Sequence, residues 1–157
     1  MIQAWRLFKR AYSAADLSGE GARINGGRLN SKGIAVIYTS ASLSLAAMEI
    51  LAHIQSTKLL GKYHMRRLAF DEKLVRTLEV ADLPSNWRRS PPTRDIQQVG
   101  DRWVESRASA ILRIPSALIP QEHNFILNPA HPDFAKIHFD DPGPFVFPPR
   151  IIKALRF

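Results

Sequence analysis

The sequence predicts a single α+β domain, with a twisted, mostly antiparallel sheet and two main helices. Three observations lead there. The chain has 157 residues, 45% hydrophobic and 23% charged, which suits one globular unit, residues 1–157, able to bury a real core. Two stretches, one after Thr39 and one from Thr93 to Arg107, repeat apolar residues at helical spacing. Short runs of β-branched and aromatic residues fill much of the rest, especially the C-terminal half.

Taken in order, Gln3, Trp5 and Leu7 alternate with Ile2, Ala4 and Arg6, the pattern of an opening strand. Residues 13–33 are rich in serine, asparagine and glycine and read as a long loop with tight turns. Ile34 to Tyr38 reads as a short strand, and Thr39, Ser40 and Ser42 offer oxygens to cap the helix that follows. Leu43, Ala47, Ile50, Leu51 and Ile54 form its apolar stripe, with Ser42, Ala46, Glu49 and His53 on a neighbouring face. Tyr63 to Phe70 and Lys73 to Val80 read as two strands, and Pro84 to Pro92 as a surface connection. Thr93 to Arg107 sets Ile96, Val99 and Trp103 on one face of a second helix. Ser109 to Ile119 is apolar and interrupted by Pro115-Ser116, and Phe125 to Leu127, Ala135 to Phe139 and Phe145 to Leu155 complete a strand-rich C-terminal half. Prolines 142, 144, 148 and 149 make the last of these irregular or an edge.

Composition narrows the function. There is no cysteine, so disulfides and thiolate chemistry are excluded and a cytosolic setting fits best. No apolar run reaches the roughly 20 residues that span a bilayer, and MIQAWRLFKRAY does not resemble a signal peptide. The five histidines form no HxxxH or HxH pair, so no dedicated metal site is expected. The net charge of +8, from 22 basic and 14 acidic residues, suits polyanions, phosphorylated small molecules or an acidic partner, or simply a basic solvated surface. The basic residues are dispersed, without a lysine/arginine tract or an aromatic RNA-binding signature, and no helix-turn-helix is evident; direct DNA binding is not expected.

The stretch Gly19 to His53, GEGARINGGRLNSKGIAVIYTSASLSLAAMEILAH, carries the chemistry. Arg28 follows a glycine pair, Tyr38 closes a short apolar run, and Glu49 sits on the less apolar side of a helix. Arginine, tyrosine and glutamate at the edges of regular elements suit binding of an anion and stabilisation of a nearby cation, as at a phosphorylated nucleotide and its sugar. On helix geometry alone Glu49 reads more readily as a glutamate at the solvent edge than as a cavity wall.

That run resembles the core of RES-domain proteins, and SAILRIPSALIPQEHNFILNPAHPDFAKI resembles the C-terminal half of the same family. With Trp5-Arg6 and Phe145 to Ile151, the likeness spans nearly the whole chain. The resemblance implies the toxin of a bacterial RES–Xre toxin–antitoxin module, a fold related to ADP-ribosyltransferases, and NAD as a consumed substrate, not a resident cofactor. Some family members degrade NAD by hydrolysis or phosphorolysis; others ADP-ribosylate a protein. The arginine, glutamate and serine of the family name fall on Arg28, Glu49 and Ser116, and Arg6, Tyr38 and Asn128 match further family positions. The pattern departs at Leu29, where the family usually has tryptophan, and at Phe145-Val146-Phe147-Pro148-Pro149-Arg150-Ile151, which lacks the usual aspartate.

The residues suit that chemistry. Cleaving the nicotinamide–ribose bond builds positive charge on the sugar, which the Glu49 carboxylate would oppose, or Glu49 would serve as base for the incoming water. Arg28 offers a planar fork to pyrophosphate, and Gly26 and Gly27 remove bulk so that backbone N–H groups approach the ligand. Arg6 is a second candidate phosphate contact or a strand arginine paired to a surface carboxylate. Tyr38 suits stacking on nicotinamide or ribose with its hydroxyl donating, although an isolated strand-end tyrosine is more often core. Ser116 is a candidate donor to ribose or phosphate, not a triad nucleophile. Asn128 is a candidate ligand contact or a turn residue. An enzyme of this kind would be held inactive by an Xre-type antitoxin covering the pocket, with the toxin a homodimer in the complex. The competing readings are a mono-ADP-ribosyltransferase and, from another class, a basic nucleic-acid-binding module.

Overall fold

The computed structural model describes residues 1–155. Its strands are β1 (Ile2–Lys9), β2 (Ile37–Ser40), β3 (Tyr63–Phe70), β4 (Val75–Thr77), β5 (Ile111–Pro115), β6 (His123–Leu127), β7 (His138–Phe139) and β8 (Gly143–Phe145). The helices are α1 (Glu20–Asn25), α2 (Leu43–His53), α3 (Arg94–Ser106) and α4 (Pro149–Ala154). One sheet runs β4-β5-β6-β2-β1-β3-β7, and β8 also pairs with β3, beyond β7 along the same strand. Every pairing is antiparallel except β4 with β5. The expected α+β architecture holds.

The sheet is buried on both faces, which explains the nearly continuous apolar runs of its central strands. Ile37, Ile111, Phe125 and Leu127 point to one side and pack with Leu68 and Phe70; the Phe70 and Phe125 rings meet edge to face at 5.2 Å. Leu112, Ile114 and Ile126 point to the other side, against α3 through Ile96 and Trp103. Further along the sheet, Leu7 and Tyr63 pack with Ala46 of α2.

The two long helices start where their caps dictate. The Ser42 hydroxyl accepts the Leu45 amide at 3.0 Å, and the Thr93 hydroxyl accepts that of Ile96 at 3.5 Å. Trp103 donates its indole N–H to Ser109 at 2.9 Å, so a large buried ring leaves no polar atom unmet. In α2 the fully buried positions are Leu45 and Ala46, while the expected stripe of Leu43, Ala47, Ile50, Leu51 and Ile54 is only partly covered. Burying a side chain the size of Leu45 is worth about 2 kcal/mol.

Several expectations need correction. Residues 13–33 are not all loop: α1 forms between Gly19, whose φ of +75° suits glycine, and Gly26, and six residues are too few to show a period. The strand expected from Ile34 begins at Ile37. Lys73 to Val80 is a strand only over Val75–Thr77. Pro84 to Pro92 is not merely surface, because Trp87 is buried against the residues that α3 covers. Residues Pro132–Lys136 form a 3-10 helix, leaving a two-residue strand where Ala135 to Phe139 was expected. After Phe145 the chain turns into α4, with Pro149 at its first position, where the fixed φ of proline suits a helix start.

Candidate active site

A cavity of about 460 Å³ opens between α2, the Gly26–Leu29 loop, the middle of β1 and the neighbouring parts of β2, β5 and β6. That volume is in the range of small-molecule sites. Arg6, Gly26, Gly27, Arg28, Tyr38 and Glu49 all line it, so six of the eight residues singled out from the sequence converge.

Glu49 forms one wall. Its Oε1 accepts two hydrogen bonds, from Ser116 Oγ and from Asn124 Nδ2, both at 2.8 Å. Its Oε2 accepts none among the described residues and is left to the cavity. Glu49 is therefore the cavity wall, not the solvent-edge glutamate that helix geometry alone favoured. Asn124 lies on β6 opposite Ser40, whose hydroxyl donates to Asn124 Oδ1 at 2.8 Å. That bond fixes the amide so that its nitrogen faces Glu49.

Ser116 is fully buried. Its hydroxyl donates to Glu49 and accepts the amides of Leu118 and Ile119 at 3.1 and 3.2 Å. With its proton engaged by Glu49, Ser116 orients the carboxylate instead of offering itself to ribose or phosphate. Asn128 is buried away from the cavity, and its Oδ1 accepts the Ala130 amide at 3.0 Å. Of its two readings, the turn role is the one the geometry supports.

Arg28 forms the other wall. Its Nη1 donates to the carbonyls of Trp87 at 2.9 Å and Arg89 at 2.7 Å. The Nε–Nη2 edge makes no protein hydrogen bond among the described residues, and that edge suits two oxygens of one phosphate. Burial holds the guanidinium below its ordinary pKa, and the nearby Glu49 carboxylate opposes that effect.

The amides of the glycine pair and the hydroxyl of Tyr38 are engaged in shaping the loop. The Gly26 amide donates to Ala22 O at 2.8 Å and the Gly27 amide to Asn30 O at 3.0 Å, so both expected donors are engaged. A Cβ on Gly27 would lie 2.5 Å from the Tyr38 hydroxyl; the glycine is there to admit the tyrosine. That hydroxyl donates to Asn30 Oδ1 and accepts the Leu29 amide at 3.0 Å. Burial pushes the phenol well above its ordinary range, and it stays a neutral donor. The Tyr38 ring lines the cavity, but its hydroxyl is held by the loop.

Arg6 is more buried than a surface strand arginine. Nη1 donates to Tyr38 O at 3.0 Å, while the buried Nε has no hydrogen-bond partner and lies 3.9 Å from Asp16 Oδ2. Asp16 is itself buried and takes two bonds from Arg66, each 3.1 Å. Burial lowers the Arg6 pKa to about 10, against the pull of Asp16 and with the help of Arg66, so the group is a cation at neutral pH. It borders a second cleft of about 260 Å³ beside α1.

Sequence reasoning missed the residues that hold this arrangement. Asn30 is fully buried and donates to Ala22 O at 2.8 Å and Ile34 O at 2.9 Å. From α3, Asp101 accepts the Ser31 amide at 2.8 Å and hydroxyl at 2.6 Å, and Gln97 donates to Gly27 O at 3.0 Å. A Cβ on Gly100 would overlap the Leu29 carbonyl, so α3 lies directly on the loop. Gly100 was the one available signal: a glycine inside an otherwise regular amphipathic helix implies close backbone approach.

Comparison with known proteins agrees with this architecture. Residues 3–148 match the RES domain family. A protein named Toxin Res from Yersinia enterocolitica is 37% identical over 151 residues, 96% of this chain and 99% of that protein. A Prs ADP-ribosylating toxin from Sphingobium is 35% identical over 154 residues, 95% of this chain and 96% of that one. The fold is shared with a chain of the M. tuberculosis MbcT-MbcA toxin-antitoxin complex, with a TM-score of 0.75 at 19% identity over 98% of this chain and 88% of the other.

Proposed function

Because the chain belongs to the RES-domain family of toxins of toxin–antitoxin systems, we propose that it cleaves NAD between nicotinamide and ribose and thereby arrests growth. One observation carries the reading: a carboxylate held by two donors on Oε1, with Oε2 open to a cavity that Arg28 also lines. As the neutral base departs, charge builds on the ribose, and a carboxylate already fixed in place stabilises it without reorganising. Arg28, anchored through Nη1, holds the pyrophosphate by its free edge, and Arg6 adds a second fixed cation. Water or phosphate takes the ribose as the base leaves. NAD is substrate here, and no resident cofactor or metal is part of the reading. Incubating purified protein with NAD, with and without phosphate, and identifying the products tests it: nicotinamide should appear, and unchanged NAD would refute it.

A second reading, mono-ADP-ribosyl transfer to a protein, is favoured by the Sphingobium relative's name. The same cavity serves both, and the acceptor differs. A labelled ADP-ribosyl group that remains on protein would select transfer.

We also propose an Xre-type antitoxin as the partner. A chain of net charge +8 with an open arginine edge suits a partner that presents carboxylates near Arg28 and covers the cavity, the toxin being a homodimer in that complex. An NAD analogue and the antitoxin should exclude each other; simultaneous binding with activity still suppressed would rule out occlusion.

A further inference from the structure

Glu49 must stay charged while positive charge builds on the ribose, so it cannot at that moment also take a proton from the acceptor. The cavity holds another group for that step. His53, the last residue of α2, stands four residues after Glu49, one turn along the same helix face, and is the one histidine lining the cavity among the described residues.

Its two nitrogens are distinguished by the fold. Nδ1 lies 2.8 Å from the backbone carbonyl of Glu49, and a carbonyl only accepts, so Nδ1 carries the proton in the neutral ring. Nε2 is then the lone-pair nitrogen, with no protein partner among the described residues. The same bond ties the ring to the helical turn that carries Glu49, so base and stabiliser are set relative to each other. His131, by contrast, has both nitrogens engaged, with Arg107 O and the Asp133 amide. The charged groups around the cavity are Glu49 on the helix of His53, Arg6 on β1 and Arg28 in the loop.

We propose that His53 is the general base that activates the acceptor in the NAD cleavage proposed above, on which this inference rests, and that Glu49 has the electrostatic role alone. With water as acceptor, its oxygen bonds to the ribose C1′ as the C1′–nitrogen bond breaks, and the bonding pair leaves with nicotinamide. The water proton passes to His53 Nε2 and then to solvent, giving ADP-ribose, nicotinamide and one proton from NAD and water.

The test is chemical rescue of His53→Ala. Turnover should fall about 100- to 10,000-fold, the usual contribution of a positioned base. Binding of a non-hydrolysable NAD analogue and the melting temperature should match wild type, because the side chain is exposed at a helix end. Added imidazole should restore turnover in proportion to its concentration, with substituted imidazoles ranked by basicity, and should do nothing for Glu49→Gln. A His53→Ala enzyme of wild-type rate, or a loss that imidazole leaves untouched, overturns the assignment while the NAD reading stands on wild-type activity. Absence of NAD cleavage by the wild-type protein overturns the parent reading, and this inference with it.

Discussion

The two walls of the cavity are built by opposite means. On the helix wall, Glu49 projects from α2 and meets Ser116 and Asn124, which come from the ends of β5 and β6. Three elements of the sheet-and-helix frame thus converge on one oxygen. On the loop wall, Arg28 lies in irregular backbone, which is held by a few backbone bonds and by side chains: Asn30 and Tyr38 within the motif, Gln97 and Asp101 from α3. A group placed by the frame can be altered without disturbing its support. A group placed by a loop shares its fate with whatever holds the loop. Substitutions on the helix wall should therefore change chemistry and spare folding, whereas those under the loop wall should change binding and stability together.

The largest effect is expected at Glu49. Glu49→Gln should lower NAD turnover by at least about 100- to 1,000-fold, the scale of removing one preorganised group, while the melting temperature stays near wild type. A variant that melts much earlier would break the contrast, because it would make the helix wall structural as well.

Gly100→Ala probes the other wall without touching the cavity. The new methyl group would overlap the Leu29 carbonyl, so helix or loop must move, at a cost of about 3 kcal/mol. Denaturant unfolding and NAD-analogue affinity should both worsen. Unchanged stability would show that α3 does not support the Arg28 loop.

Arg28→Lys keeps the charge, but an ammonium cannot bond the Trp87 and Arg89 carbonyls and still offer a flat two-pronged edge. The dissociation constant of a non-hydrolysable NAD analogue should rise about tenfold or more, corresponding to roughly 1.4 kcal/mol. An unchanged constant would remove Arg28 from the proposed phosphate contact.

The sequence made the helix wall legible only in part. Helical spacing placed Ala46, Glu49 and His53 on one face, yet by that spacing alone Glu49 looked like a solvent-edge residue. What turns it inward is Asn124, 75 positions away, through a register between β2 and β6 that no local pattern encodes. Ser116 was found by the family motif, but a hydroxyl already engaged by Glu49 and two backbone amides looks, in sequence, like a hydroxyl free for a ligand. The loop wall was less legible still. The glycine pair suggested amides open to a ligand, whereas one bonds to Ala22 of α1 and the other to Asn30. The end of the chain went wrong for a local reason: Pro148 and Pro149 count against a strand, and they also suit the first turn of a helix, which α4 is.

Smaller effects sharpen the same contrast. Asn124→Ala removes one of the two donors to Glu49 Oε1 and should cost about tenfold in turnover, as for a hydrogen bond to a charged group. NAD-analogue affinity should be nearly unchanged; an equal fall in both would move Asn124 into the binding surface. Smallest of all, Asn128→Ala should lower stability by about 1 kcal/mol through the orphaned Ala130 amide and leave NAD turnover alone. Loss of turnover at wild-type stability would restore Asn128 as a ligand contact.

The central claim is that the carboxylate on the helix wall acts on the ribose carbon that bears nicotinamide. The most direct measurement follows the products of NAD labelled separately in its nicotinamide and adenine halves, using purified wild-type protein and Glu49→Gln side by side. The account predicts that the wild-type protein releases labelled nicotinamide, with the adenine label retained in an ADP-ribosyl product, and that Glu49→Gln releases almost none. Cleavage at the pyrophosphate, or equal nicotinamide release by the two proteins, would contradict it.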